Sequence, residues 1–572
     1  MIKLTDKLER ILQKVQKPAR YTGGEYNQVV KDKNTVDIRV AFCFPDTYEI
    51  GMSNLGLRIL YGIINEMDGV WCERVFTAWV DMEEQMRKNS VALYGLESGD
   101  SICDFDIIAF SLGYELSYAN VLNMLDLAGI PLRAKDRSDS APIVIAGGTC
   151  CFNPEPLSDF IDLFAVGDGE DIVCEIIELY KENKRIGADR WDFLKTAASI
   201  SGVYIPSLYS VCYNSDGAVG EITAGNNAAL PVKKRIVQDF ANSYYPVSTI
   251  VPSTEIVHDR VALELFRGCF RGCRFCQAGH VCGPVRYRPR DILIRQGIEA
   301  IKASGYDEIA LTSLSSSDYS ELNELCDGLL DWCEPKNVSL SLPSLRADNF
   351  SPELMHRIQK VRKSGLTFAP EAGSQRLRDY INKNVTEEDL LKTCRVAAEG
   401  GWSSVKLYFM LGLPTETDED VAAIADMSRA VLKTLKEFAI NKSRGVRITV
   451  STSCFVPKAH TPLQREAQIT MEEYLRRVGI LRDALRSKSI TYNWHSPEQG
   501  LVEAALARGD RRLGGVVEAA WRLGARLDSW SEHFLLDRWL AAFEECGLNP
   551  AFFANRERQS EELLPWSVIE GS

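Results

Sequence analysis

Between residue 36 and about residue 180, short continuous apolar runs alternate with stretches whose apolar residues recur at helical spacing. "VDIRVAFCFP", "DFDIIAFSL", "APIVIAGG" and "IDLFAVGDGE" read as strands, the last running into a helix, while "MSNLGLRILYGIINEM" and "SYANVLNMLDLAG" read as helices. Strands apolar on both faces and joined by helices predict a doubly wound parallel sheet, with a ligand crevice at the strands' carboxyl ends. The loops expected there are "PDTYEIGMSN", "SLGYE", "GGTCCFNPEP" and "GDGED", rich in Gly, Ser, Asp and Pro. A glycine at a strand end serves equally well as a turn former, so no one of these loops is decisive by itself.

Residues 185–258 change character: "GVYIPSLYSVCYNSDGAVGEI" predicts a hairpin around Asn214 to Gly217, followed by scattered prolines, and the segment reads as a connector. A second series begins at 260, with "RVALELF", "YDEIALTSL", "NVSLSLPSL", "GLTFAPEAG", "SSVKLYFMLGLP" and "GVRITVSTSCFVP" as strands separated by helical stretches. Six strand-helix repeats predict a partial barrel working at the strands' carboxyl ends. After about 490 the strands are expected to stop, leaving a helical cap with Trp, Leu and Ala on one face. The expected organisation is therefore α/β throughout: a Rossmann-like domain over 1–184, a connector over 185–258, a partial (β/α)6 barrel over 259–490 and a small helical domain over 491–572.

At 572 residues the chain exceeds what one core can serve, and its 45% apolar and 25% charged residues are those of a globular protein. No run approaches the roughly 18–20 apolar residues that cross a bilayer, and the opening residues lack a cleavable apolar core, so a cytoplasmic location without a membrane partner is expected. A net charge of −13 argues against a generally basic surface and leaves room for one local basic groove. The 16 cysteines are diluted over a long chain without a secretion signal, which favours reduced thiols or metal ligands. Only "FRGCFRGCRFCQAG" spaces them for chemistry, placing Cys269, Cys273 and Cys276 directly after the first barrel strand.

Three thiolates do not close a tetrahedral zinc shell, although His280 or Cys282 is available as a fourth ligand. A cubane iron-sulfur cluster held by three cysteines leaves one iron open to another molecule. The Cys-x3-Cys-x2-Cys spacing with an aromatic, Phe275, before the last cysteine resembles the radical S-adenosylmethionine (SAM) superfamily. The resemblance implies a 4Fe-4S cluster on these cysteines, SAM on the open iron, and an external electron donor such as a flavodoxin or ferredoxin. "FAPEAGSQRLRDYINKNVTEEDL" resembles the family's fourth-strand segment, implying that Glu371 and Ser374 face SAM. "KLYFMLGLPTETDED" resembles the fifth-strand turn, with Gly412, Pro414 and Glu416, and "CFVPKAHTPLQ" the sixth-strand exit of the methylthiotransferase and Elp3-like branch. By position Arg346 is a further SAM contact, and Ser315 and Ser316 stand where the family's glycine-rich turn after strand two is expected.

The first half resembles the cobalamin-binding domain that precedes the barrel in one branch of that superfamily, through "PDTYEIG", "SLGYE", "AGG" and "VGDGE". Together with "LARGDRRLGGVVEAAW" and "WSEHF", the chain resembles an uncharacterised family of such proteins. Domains that ligate cobalt use Asp-x-His-x-x-Gly; here the run is Asp46-Thr47-Tyr48-Glu49-Ile50-Gly51, with Tyr48 in place of the imidazole. A tyrosine of ordinary pKa near 10 stays protonated and ligates cobalt poorly, so the front domain is expected to bind a corrinoid without a protein axial nitrogen, its lower face bound to water or bare. Ser111, Gly147, Gly148, Gly167 and Gly169 are the expected lining of the crevice. Methyl transfer to an unreactive centre is then the leading reaction. Two alternatives stand beside it: a methylthiotransferase-like enzyme with a second cluster on Cys43, Cys72 and Cys103, and a non-catalytic iron-sulfur or zinc scaffold. Arg286, Arg288 and Arg290 of "GPVRYRPR" are candidate contacts to a phosphate-bearing or nucleic-acid substrate, with local ion pairing as the competing reading.

Overall fold

The structure, a computed structural model, describes residues 6–342, 365–440 and 445–571. It divides into two compact units, the first comprising residues 1–259, 506–549 and 560–572 and the second residues 260–505 and 550–559. The connector expected over 185–258 thus belongs to the first unit. The C-terminal residues expected as a separate cap are shared between the two.

The first unit is built on β1 (Ile38–Phe44), β2 (Val70–Phe76), β3 (Ile107–Ser111), β4 (Ile143–Gly147), β5 (Leu163–Ala165) and β6 (Val203–Tyr204). The sheet order is β2-β1-β3-β4-β5-β6, all parallel except β6 against β5. The order reverses between β1 and β3, so the crevice of a doubly wound sheet falls at the carboxyl ends of these two strands. β2 was not foreseen, because "VWCERVF" carries two charges in its middle; all seven residues are nonetheless buried. Burial is tolerated because each charge is paired: Glu73 with Arg39, and Arg74 with Glu97 at 2.6 Å and Glu25 at 2.9 Å. Helix Leu55–Glu66 starts where the Asn54 side chain accepts the Leu57 N–H, and helix Gly169–Ile186 ends on left-handed Gly187. The expected hairpin is β7 (Tyr209–Tyr213) with β8 (Val219–Ala224), closed by the Asn214 N–H to Ala218 O bond of 2.9 Å. It is followed by β9 (Val232–Lys233).

The second unit contains β10 (Val261–Glu264), β11 (Phe266–Arg267), β12 (Arg286–Tyr287), β13 (Glu308–Thr312), β14 (Ser339–Ser341), β15 (Leu366–Glu371), β16 (Ser404–Leu411), β17 (Arg447–Cys454) and β18 (Ile490–Trp494). β10-β13-β14 and β15-β16-β17-β18 are parallel sheets alternating with helices, the partial barrel of this α/β chain. β18 lies where strands were expected to have ended; none of its residues is buried, so its sequence carries no apolar run. Helices Glu387–Glu399 and Asp418–Phe438 both begin with a Thr-x-x-Asp capping box, which satisfies otherwise unpaired N–H groups at their starts. The final strand, β19 (Ile569–Glu570), returns to the first unit and pairs in parallel with β9. No helix among the described residues is long and apolar enough to cross a membrane.

Candidate cofactor sites

β11 and β12 pair antiparallel, Phe266 opposite Tyr287, and close the loop that carries the three cysteines. Gly268 turns the chain into it with φ +85°, where an added Cβ would lie 2.8 Å from Pro284 O. Neighbouring strand ends tie the loop down. The Asn382 amide donates to Arg271 O (3.1 Å) and Gly272 O (2.9 Å), Arg274 N–H reaches Ile381 O (2.9 Å), and Arg271 Nε donates to Asp318 at 2.8 Å. The Gln277 amide reaches Ala459 O at 3.3 Å. Phe275 packs against Ala372, Leu377, Ile381, Leu413, Phe455 and Leu463, so the aromatic of the motif is the loop's apolar anchor.

Within this frame Cys269, Cys273 and Cys276 are all partly exposed. Cys276 caps helix Gln277–Val281, its Sγ accepting the Gly279 N–H at 3.4 Å. Burial pushes its thiol up, while that N–H and the Lys383 ammonium favour the thiolate. The His280 ring nitrogen lies at hydrogen-bond distance, 3.2 Å, from Cys273 O, engaged within the loop. Among the described residues no three His, Cys, Asp or Glu side chains are arranged around a point to hold one metal ion. Thiolates that bind three different irons of a cubane stand further apart than the ligands of one ion. Three partly exposed thiols in one tethered loop, one with an N–H donor aimed at its sulfur, fit the cluster.

Glu371 ends β15 at a bulge with φ +71°, a left-handed position that a glutamate adopts only when held. It is held by Lys383, whose Nζ lies 3.2 Å away with both side chains mostly buried, at 16% and 15% exposure. Burial pushes the Glu371 carboxyl up and Lys383 draws it down. Lys383 was not singled out in the sequence; its signal is the "NKN" run, whose two asparagines both take positive φ, +54° and +46°. Ser374 caps helix Gln375–Tyr380 by accepting the Leu377 N–H and donates to Asp420. The Ser315 hydroxyl donates to Asp318 at 2.7 Å and Ser316 to Leu311 O at 3.0 Å, so both build the turn after β13. Glu416 accepts the Gly412 N–H at 2.7 Å and pairs with Arg477, and burial pushes its carboxyl up to about 7. Arg346 lies outside the described residues. Arg288 is fully buried, Arg286 donates to Cys282 O at 3.1 Å and Arg290 pairs with Asp291, so these three do not form one exposed basic patch.

In the first unit Tyr48 is 1% exposed, and its hydroxyl donates to Glu25 at 2.9 Å, inside the Arg74 network. Gly167 and Gly169 serve packing: a Cβ on Gly167 would lie 2.1 Å from Arg235 O, and on Gly169 3.1 Å from Leu60. Gly148, at φ +107°, lets the chain pass Leu112 O, while Gly147 and Ser111 end their strands partly exposed. Cys43 and Cys72 are fully buried within β1 and β2 and burial pushes both thiols up, whereas Cys103 is exposed in a turn. The alternative second cluster therefore finds two of its three ligands sealed in the sheet. No motif signals the grip on Asp46, whose carboxylate accepts hydrogen bonds from Ser529 Oγ and Trp530 Nε1, each at 2.9 Å.

Residues 263–428 match the radical SAM superfamily, and residues 56–206 match the N-terminal domain of radical SAM proteins. The chain thus carries radical SAM N-terminal and core domains. An uncharacterised protein of Methanocaldococcus jannaschii is 29% identical over 89% of this chain and 97% of its own length. The tRNA-2-methylthio-N(6)-dimethylallyladenosine synthase of Petrotoga mobilis is 22% identical over 37% of this chain and 50% of its own. The radical SAM methyltransferase TsrM of Kitasatospora setae, solved with cobalamin and a [4Fe-4S] cluster, shares the fold at a TM-score of 0.52, with 16% identity over 75% of this chain and 77% of that one.

Proposed function

We propose that the protein is a radical SAM enzyme with a cofactor site in each unit: a 4Fe-4S cluster and SAM in the second, a corrinoid in the first. Its reaction on this reading is methyl transfer to an unreactive carbon or phosphorus centre. The observation that carries the reading is the tethered loop of Cys269, Cys273 and Cys276 beside the buried Glu371–Lys383 pair. When bound and reduced, the cluster supplies the electron that splits SAM, and a corrinoid supplies a cobalt able to carry a methyl group. The protein's part is positional. Asn382 and Arg271 hold the loop, Phe275 seals one side of it against water, and Lys383 fixes Glu371 for the polar end of SAM while adding positive charge beside the cluster. An external one-electron donor, a flavodoxin or ferredoxin on this reading, completes the cycle. The likeness to TsrM supports the fold required, and the match of residues 263–428 to the radical SAM superfamily supports SAM chemistry at the barrel. The test is anaerobic reconstitution with iron and sulfide, reduction with dithionite and incubation with SAM, with and without hydroxocobalamin. Release of 5'-deoxyadenosine or S-adenosylhomocysteine is expected; neither product under either condition would leave the scaffold reading in its place.

A further inference from the structure

The inward face of the sheet β15-β16-β17-β18 carries polar groups that the cluster loop does not use. Along β16 burial alternates from residue to residue. Val405, Leu407, Phe409 and Leu411 are almost fully buried, on the side where helix Asp418–Phe438 packs against the sheet. Lys406, Tyr408 and Met410 alternate with them and are partly exposed, so they face the barrel interior. The register sets Thr449, Ser451 and Ser453 of β17 beside them, one opposite each. Met410 marks the upper end of this wall, because it packs on the same apolar residues that anchor Phe275 of the cysteine loop. At the rise of a parallel strand, the backbone of Tyr408 lies about 7 Å and that of Lys406 about 13 Å further down from Met410.

Among the described residues, the side chains of Lys406, Tyr408, Thr449, Ser451 and Ser453 make no hydrogen bond and no ion pair. The charges sharpen the point. Of the charged residues on the parallel strands of the barrel, Glu264 pairs with Arg267 at 2.9 Å, Glu308 with Arg260 at 2.8 Å and Glu371 with Lys383 at 3.2 Å. Arg447 stands exposed at the first position of β17. Lys406 is therefore the one partly buried charge on these strands, among the described residues, that no opposite charge answers. Its ammonium lies 4.6 Å from the centre of the Tyr408 ring, drawn up the wall towards the cysteine loop. An aromatic face is a weak partner for an ammonium taken partly out of water, whereas an oxyanion is a strong one.

We propose that this wall seats the substrate, and that the substrate carries an oxyanion, a carboxylate or a phosphate, which pairs with Lys406 inside the barrel. The inference rests on the SAM part of the proposed function, which makes the barrel the place of reaction, and it adds the class of molecule acted on. Lys406 holds the charged end low on the wall, the hydroxyls of Tyr408, Thr449 and Ser451 meet the polar groups above it, and the reacting centre is left towards Met410 and the cysteine loop. A lysine suits this task because its ammonium is a point charge that accepts an oxyanion from several directions.

The experiment takes the reconstituted full chain under anaerobic conditions and follows Lys406 by brief acetylation with acetic anhydride and peptide mass spectrometry. Glycerol 3-phosphate, succinate and glycerol are the probes, with ionic strength matched by sodium chloride. Lys406 is expected to react in the free protein. Its labelling should fall roughly tenfold with at least one of the two anions at about ten times its Kd, because only the empty site reacts. Glycerol and chloride should leave it unchanged. Protection by glycerol 3-phosphate alone assigns a phosphate, by succinate alone a carboxylate, and by both the shared oxyanion. In Thr449→Glu, which sets a carboxylate opposite Lys406, labelling should be slow and indifferent to either anion. A Lys406 that never reacts, labelling unmoved by both anions, equal protection by glycerol or chloride, or anion protection that persists in Thr449→Glu would overturn the proposal. The wild-type protein decides the matter even if Thr449→Glu does not fold. None of these readings needs turnover, so 5'-deoxyadenosine release from the same preparation separates a failure here from a failure of the SAM reading.

Discussion

The cluster loop and the loop after β1 are both short, glycine-containing and set at strand ends, yet they are held in opposite ways. The cluster loop is fixed at its perimeter, by Asn382, Arg271 and Gln277 bonding across to other strand ends, and its three thiols remain partly open. The β1 loop is fixed from beneath, where Tyr48 leads into the buried Glu25–Arg74–Glu97 chain, and from the side, where Ser529 and Trp530 hold Asp46. A site that must admit a preassembled inorganic cluster needs ligands that are positioned and accessible. The loop after β1 is instead closed by contacts of its own, with Thr47 and Tyr48 each only 1% exposed.

The comparison breaks most sharply if the three thiols are dispensable. Replacing Cys269, Cys273 and Cys276 together by Ala should abolish iron binding in reconstituted protein, and iron analysis retaining most of the metal would refute the assignment. In the front unit the largest effect should come from Gly167→Ala, which combines a φ of +105° with a Cβ 2.1 Å from Arg235 O. Destabilisation of about 3 kcal/mol is expected in urea unfolding; a change inside error would mean that the floor is softer than described. At the cluster side, Lys383→Met leaves Glu371 mostly buried and unpaired. SAM affinity measured by equilibrium dialysis should weaken about tenfold, equivalent to ~1.4 kcal/mol, and Lys383→Arg should restore most of it; equal affinities would remove the pair from the site. The smallest effect concerns pH. With its folded pKa raised to about 7, Glu416 contributes stability that is fully present below its unfolded pKa of about 4.3 and lost as pH rises through 7. Melting temperatures of Glu416→Gln relative to wild type should therefore shift in the variant's favour between pH 5 and 8. A pH-independent difference would contradict the raised pKa.

The two sites also differed in how far the sequence revealed them. Cys269, Cys273, Cys276 and Phe275 lie within one short run, so spacing alone exposes them, and the repeating β/α pattern places that run at a strand end. Lys383 escaped notice because its partner Glu371 is 12 positions away across a helix and a turn. The bonds of Ser374 and Ser315 are not legible either, because a sequence does not show which hydroxyls cap a helix or build a turn. β2 was lost because ion pairs allow charges inside a sheet, and β18 because an exposed strand has no apolar signature. The grip on Asp46 was beyond reach, since its members meet only through the tertiary fold.

The division of the chain bears on how it is made. The front sheet is encoded before residue 260, but residues 506–549 and the β19 strand that pairs with β9 leave the ribosome only after the second unit's main segment. The first unit therefore has to wait, incompletely packed, while some 250 intervening residues are synthesised. The second unit's main segment, by contrast, has emerged by residue 505. Since domains fold as their residues become available, the half-built front sheet is the species that chaperones would have to protect while the second unit's main segment is made.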